Sequence, residues 1–469
     1  MAQVINVLEH CRLPPSTSSS ASTAEFTLPL TFYDVVWINF YPIQRLLFYK
    51  LPYPKSHFTG TIIPKLKQSL SIALKHFLPL AGNLIIPLDS GFPQLRYAKG
   101  DTLSVTFAES FEDFQDLVGN HPRNCSRFYS LIPQLRPESI ESGGARVSAV
   151  LAVQVTLFPN YGITIGSVHQ HVIGDANVVT GFMRTWASIN KFDGETELFD
   201  NNDNKSFLPF YGREVLEDPY KLTTLIFNEM EKPNPRQESE SNVSKVPTKN
   251  FNFNLRVTYV MSQVEIQMLK KYAMENMPNL VNPSSFVLTC AYIWTSWLKS
   301  MEAIGEEIKV DENEIEYFLF AADYRARLSP PLPANYFGNC IVPCIAKSTR
   351  GELCGPRGLS IAAENIGIAI RERLNDQEKI LKGVWFYELR EINWKRLLSV
   401  SGSTKHDTYD ADFGWGKPEK YECVSIDASQ AVSINKSGKY EVGFEIGLSL
   451  PKNQMDTFAD IFASGLKNL

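Results

Sequence analysis

Apolar residues recur at helical spacing in "IIPKLKQSLSIALKHFLPLAGNLI" through Ile72, Leu74 and Phe77, and Pro79 and Gly82 then stop the helix. Further on, "ARVSAVLAVQVTLFP" and "YGITIGSVHQH" read as two β-strands joined by a Pro-Asn-Tyr-Gly turn. In the second strand a period of two puts Ile163, Ile165, Ser167, His169 and His171 on one face. "ANVVTGFMRTWASIN" returns to helical spacing, with Val178, Val179, Phe182, Met183 and Trp186 on one side. The stretch "SVHQHVIGDANVV", residues 167–179, therefore sits where a strand runs into a helix.

The pattern weakens over residues 190–250. "FDNNDNKSF" and "EKPNPRQESESNVSKVPTKN" are polar, of the composition expected of a flexible connection, and bracket a helix-like "YKLTTLIFNEM". "STSSSASTAEF" near the start reads as a solvated loop. Beyond residue 250 come a strand "FNLRVTYVMS", a helix "QVEIQMLKKYAMENM", and a longer helix in "NPSSFVLTCAYIWTSWLKSM" that Ser284 or Ser285 can cap. A strand ending in a charged stretch, "EIEYFLFAADYRARL", an amphipathic helix "GLSIAAENIGIAIRERLND", and a closing strand and helix follow. Strands and helices mix in both halves without strict βαβ alternation, so the expected class is α/β with mixed sheets. The boundaries expected are an N-terminal domain over 1–200, joined by a segment near 385–415, a crossover over 201–250, and a C-terminal domain over 251–469.

Composition narrows the partners. The chain has 469 residues, 44% of them hydrophobic, with 46 basic and 51 acidic side chains and a net charge of −5. Mild acidity and scattered basic residues point away from nucleic acid and anionic membrane. No apolar run approaches the ~20 residues that span a bilayer. "MAQVINVLEHCRLPPS" lacks a basic region followed by an apolar one, and the ending "GLKNL" is no retention or peroxisomal address, so the cytosol is the expected compartment. Seven cysteines, an odd and sparse set, suit a reducing environment. Cys340 and Cys344 are four apart, with no second close pair to complete a zinc site.

"HQHVIGD" admits three chemistries. His169 and His171 on one strand face are a plausible metal pair, but His10, His57, His76, His121 and His406 are isolated and supply no third ligand, so no metal is expected. His171, titrating near working pH, can act as a general base with Asp175 orienting its ring. Alternatively Asp175 caps the following helix, with Gly174 allowing the tight turn. "DADFGWGKPEK" carries Asp-Phe-Gly, but the chain has no His-Arg-Asp loop or Gly-rich phosphate loop, which excludes a kinase reading. Gly-x-Ser-x-Gly and Gly-x-Gly-x-x-Gly are absent too, so neither a serine-hydrolase elbow nor a dinucleotide fingerprint is present.

His-x-x-x-Asp at 171–175 together with Asp-Phe-Gly-Trp-Gly at 412–416 resembles the plant BAHD acyl-CoA-dependent acyltransferases. "LPLTFYDVVW", "SLSIALKHFLPLAGNL", "QVTLFP", "PSSFVLTCAYIW" and "ADYRARLSPPLPANYFGNC" are similar to that family in order, over nearly the whole chain. "YFGNC" and "DFGWGKP" look like the branch that acylates anthocyanins and other flavonoid or phenolic glycosides. Where many relatives carry His-His, this chain has Gln170 before His171.

The resemblance implies two similar-sized chloramphenicol-acetyltransferase-like domains with a solvent channel between them, working as a monomer. It implies acyl-CoA as co-substrate, a phenolic glycoside as acceptor, and no permanently bound cofactor. It makes His171 the base and Asp175 a structural partner of Arg325, and it ties Asp412, with Gly414, Trp415 and Gly416, to activity. Ser284 and Ser285 fall where relatives contact CoA, and Asn339 and Cys340 where the family lines the channel. The donor stays open between malonyl and hydroxycinnamoyl, and the acceptor between phenolic glycosides and another phenol, alcohol or amine. No basic residue follows Asp175 before Arg184, which favours the uncharged hydroxycinnamoyl group, because a malonyl carboxylate needs a cation.

Overall fold

A computed structural model describes residues 5–16, 25–89, 91–141, 143–194, 208–230, 232, 253–305, 311–429, 431–438 and 443–469. The polar tracts at 199–207 and 231–250 lie almost wholly outside these residues, as does most of the serine-rich loop at 16–26.

Two α/β halves are built around separate apolar cores. In the first, a six-stranded mixed sheet runs Asn6–Leu13, Leu103–Glu109, Leu151–Phe158, Gly162–His169, Ile43–Lys50, Lys420–Cys423. Only Leu103–Glu109 and Leu151–Phe158 pair in parallel. Gly162–His169 is buried on both faces, between helices packed on one side and a smaller apolar cluster on the other. This explains its near-continuous apolar run.

The expected strand over "ARVSAVLAVQVTLFP" is in fact two. Ala145–Ala149 belongs to a five-stranded antiparallel sheet, and Leu151–Phe158 to the six-stranded one, with the break at Val150. Asn160 takes the left-handed conformation (φ 65°) in the turn that follows, which asparagine tolerates better than most residues.

The helix Ala176–Lys191 buries Val178, Val179, Phe182, Met183 and Trp186, the face the spacing implies. It lies beside the helix Ile63–His76. Trp186 donates its ring N–H to Ser69 Oγ (3.1 Å), which bonds on to Asn190 Oδ1 (3.0 Å), so the polar atoms of this contact are satisfied. Burying each large apolar side chain is worth about 1.5–3 kcal/mol, which anchors the helix behind the His171 turn.

The second half holds a seven-stranded sheet, Ile341–Thr349, Ile315–Asp323, Leu397–Ser401, Ala431–Lys436, Gly443–Pro451, Asn254–Ser262, Arg123–Asn124. The helix Ser285–Ile304 is apolar nearly all round because it is the buried one, enclosed by the helices Gly358–Leu374 and Lys452–Lys467.

Each half lends the other an edge strand. Arg123–Asn124 closes the second sheet, and Lys420–Cys423 closes the first. The exchange is fixed by buried charges: Arg123 pairs with Glu422 at 2.8 Å, and Arg256 pairs with Glu422 and Asp427. The segment crossing back also carries Ile380, Trp385, Tyr409, Phe413 and Tyr421 into the first core.

Candidate active site

His171 is not the last residue of its strand. The strand ends at His169; Gln170 continues extended, and His171 opens a single 3₁₀ turn to Ile173. Gln170 is pinned twice at the break between the two upstream strands, through its N–H to Val150 O (2.9 Å) and its side chain to Ala149 O (2.9 Å). The two histidines are thereby separated. His169 is 1% exposed within the sheet, and His171 projects from the turn beyond it.

Gly174 takes φ 146°, where a Cβ would stand 2.4 Å from Val178 Cγ2. This is the turn that brings Asp175 to the N-cap, its carboxylate accepting from Asn177 N at 3.1 Å.

The Asp175 carboxylate is fully occupied. Arg325 approaches it in bidentate fashion at 2.8 and 3.1 Å, and Cys340 N donates at 3.1 Å. Burial alone would raise this carboxyl, but the Arg325 charge and the Cys340 N–H outweigh it and hold it below the usual range. Arg325 also donates to Asp323 (3.3 Å) and to the carbonyls of Tyr336 (3.4 Å) and Gly338 (3.1 Å). None of the hydrogen bonds found on Asp175 among the described residues goes to His171.

His171 is held through its backbone and one face of its ring. Asn339 Nδ2 donates to the His171 carbonyl (3.0 Å) and to Asp34 Oδ1 (3.0 Å), while Asn339 N donates to the same Asp34 oxygen (2.8 Å). Asp34 is fully buried, caps its own short helix with Thr31, and pairs with Arg213. Trp37 stacks on the imidazole with centroids 3.8 Å apart, and Phe40 meets it edge-on at 5.8 Å.

Nδ1 of His171 is buried and meets no hydrogen-bond partner among the described residues. Burial pushes the ring's pKa down to about 4; Asp175 pulls it up and Arg45 pushes it down further. The imidazole is therefore uncharged at neutral pH.

Asp34, Trp37, Arg45 and Arg213 were not singled out from the sequence. Asp34 had a readable signal, since Thr31 three residues earlier forms a capping box with it. Arg45 is a cation inside the apolar strand "IQRLLFYK", where the other, Lys50, stands at the exposed end. Trp37 and Arg213 carried none.

Asp412 sits elsewhere. Its Oδ1 accepts from Gly414 N and Gly416 N, both at 2.8 Å, and its Oδ2 pairs with Lys191 at 2.8 Å. These contacts close its own loop onto the end of the helix that Asp175 begins. Both glycines have positive φ, 94° and 89°, which the loop requires. The residue that fills space is Phe413 rather than Trp415. Phe413 is 1% exposed and packs edge-on to Trp186 at 4.9 Å, while the half-buried Trp415 stacks on it at 5.2 Å.

Ser284 caps its helix, accepting from Val287 N at 3.3 Å; Ser285 is the first helical residue, and no hydrogen bond among the described residues joins either to His171. Asn339 and Cys340 are both fully buried. No cluster of three or more metal-ligating side chains occurs among the described residues, and none of the described helices is long and apolar enough to cross a membrane.

The geometry defines a class, a two-half α/β enzyme presenting a neutral histidine at a strand-to-helix turn. A family model described as "Transferase family" matches residues 12–464, and the chain belongs to that family, the BAHD acyltransferases. It is 46% identical over 467 residues to phenolic glucoside malonyltransferase 1 of Nicotiana tabacum, covering 99% of this chain and 100% of that one. It is 38% identical to malonyl-coenzyme:anthocyanin 5-O-glucoside-6'''-O-malonyltransferase of Salvia splendens, covering 99% and 96%. The fold matches the crystal structure of vinorine synthase with a TM-score of 0.69 at 21% identity, covering 97% and 96% of the two chains.

Proposed function

We propose that the enzyme transfers an acyl group from a CoA thioester to a sugar hydroxyl of an anthocyanin, flavonoid or other phenolic glycoside, with His171 as general base. The observation that carries the reading is the state of His171: an uncharged imidazole, clamped on Trp37 and tied by its carbonyl to Asn339.

The hydroxyl gives its proton to the imidazole as its oxygen attacks the thioester carbon. A C–O bond forms, the C–S bond breaks, and the imidazolium returns the proton to the leaving thiolate. General-base help of this kind is worth about 10²–10⁴ in rate. No acyl-enzyme is required, because both reactants are held together. Asp175 is a positioning residue in this scheme, since its oxygens are spent on Arg325, Cys340 and Asn177. Asp412 acts through the loop that braces the far end of the same helix. The relatives' names support acyl-CoA as co-substrate and a glycoside acceptor. Action as a cytosolic monomer completes the proposal.

The test offers malonyl-, acetyl-, coumaroyl- and caffeoyl-CoA against a panel of phenolic glycosides, with products identified by mass. We expect transfer by the wild type and a loss of about 10²–10⁴ in kcat for His171→Ala. A folded protein that transfers nothing from any donor would sink the reading.

A further inference from the structure

A cavity of about 20 Å³ lies between the strands Ile43–Lys50 and Gly162–His169 and the helix Ala176–Lys191. Its walls include Arg45, Ser167, Thr180, Arg184, Thr408 and Tyr421, and no aspartate or glutamate. Arg45 enters from the strand beside the one leading to His171, in register with Ser167.

The guanidinium of Arg45 is unusual in this protein. Arg123, Arg213, Arg256, Arg325 and Arg350 are each buried or nearly so, and each rests on a carboxylate. Arg45 is half-buried, its Nε is shut off from solvent without a hydrogen-bond partner, and no ion pair holds it among the described residues. A sheltered cation without a counter-ion is costly unless something supplies the charge. Its register partner Ser167 stands four residues before His171 on the strand that leads to it, and its charge lowers the pKa of His169, His171 and His406.

We propose that Arg45 binds the free carboxylate of a dicarboxylic acyl donor, malonyl-CoA being the simplest, and so selects that donor over uncharged acyl-CoAs. The assignment rests on the acyltransferase reading above. A planar guanidinium matches a carboxylate with two parallel hydrogen bonds. A space of about 20 Å³ holds little more than one water, far too little for a hydroxycinnamoyl ring. A carboxylate-bearing donor runs against the hydroxycinnamoyl preference drawn from the residues after Asp175. The cation comes from a strand well upstream, which local reading around His171 does not reach.

The test measures kcat/KM of the full chain for malonyl-, acetyl- and coumaroyl-CoA, and for the methyl ester of malonyl-CoA, with one phenolic glucoside acceptor. The wild type should prefer malonyl-CoA and lose at least tenfold on the ester. Arg45→Met should lower the malonyl-to-acetyl ratio at least tenfold, chiefly through KM, and Arg45→Lys should restore part of it. Malonyl and acetyl transfer falling together in Arg45→Met would overturn the assignment. So would a wild type that uses coumaroyl-CoA but not malonyl-CoA, or one indifferent to the ester; in each of these cases the acyltransferase reading stands. The ester comparison needs no variant, so indifference to the ester overturns the assignment even if Arg45→Met fails to fold, and Arg45→Lys then carries the positive test. Transfer from no donor at all sinks both readings.

Discussion

Trp37 lies flat on His171, with ring planes 12° apart and centroids 3.8 Å apart. The stack covers one face of the imidazole and desolvates it, so the base is both aimed and kept neutral. Trp37→Ala should expose the ring and let its pKa rise toward the ordinary ~6.5. The acid limb of kcat/KM should then move from about 4 toward that value, with a fall in kcat larger than the change in KM. An unmoved limb would mean that the stack does not set the titration.

Stability should be acid-sensitive, with a sign fixed by the depressed groups. Burial lowers His171 to about 4, and lowers His169 and His406 as well. Between the unfolded value of ~6.5 and the folded values, the unfolded chain binds more protons. Stability is therefore full above about 6.5 and declines as pH falls toward 4. Asp175, also depressed, adds a contribution that is present above its ordinary range and is lost as pH drops through its folded value. Urea midpoints at pH 7.5 and 5 should differ, the lower pH being the weaker.

Asp175→Ala should cost stability first and activity second. It strands Arg325 in a buried joint, a loss of about 3–5 kcal/mol, and removes the helix cap, worth about 1 kcal/mol. Chemical denaturation of Asp175→Ala and Arg325→Ala, with kinetics alongside, checks this. A variant as stable as wild type yet as dead as His171→Ala would make Asp175 a direct participant.

Lys191→Ala and Asp412→Ala should separate. The ion pair between them is partly exposed, at 42% and 26% of the two side chains, so losing Lys191 should cost at most about 1 kcal/mol. Asp412→Ala also releases two backbone N–H groups, at roughly 0.5–1.5 kcal/mol each, and should loosen the loop carrying Phe413. Equal effects of the two changes on the melting temperature would place the weight on the ion pair instead.

Gly174→Ala should be among the most damaging single-atom-scale changes. Its φ of 146° and the 2.4 Å approach to Val178 leave no room for a methyl group. Lower soluble yield and a lower melting temperature are the expected readouts, with His171 misplaced in whatever folds.

What could be read in the sequence was local chemistry. The Asp175 cap, the helix face of Val178, Phe182 and Trp186, and the Ser284 cap follow from spacing and backbone valence. What could not be read was set by pairing between distant segments. One apolar run became two strands in different sheets at Val150, since periodicity does not record which sheet a residue joins. The sequence motif named Trp415, but the geometry of the loop turns Phe413 inward. Asn339 gained its place because it bonds to Asp34 and the His171 carbonyl, residues 305 and 168 positions away.

The exchanged edge strands bear on the order in which the protein comes into being. The sheet that leads to His171 lacks its sixth strand, and the core beneath it lacks Phe413 and Tyr421, until the chain has been synthesised through Cys423. The half made first on the ribosome must wait, incomplete and with apolar surface uncovered, for residues made about 250 positions after His171. The base therefore comes into position only after the second half has been made through Cys423.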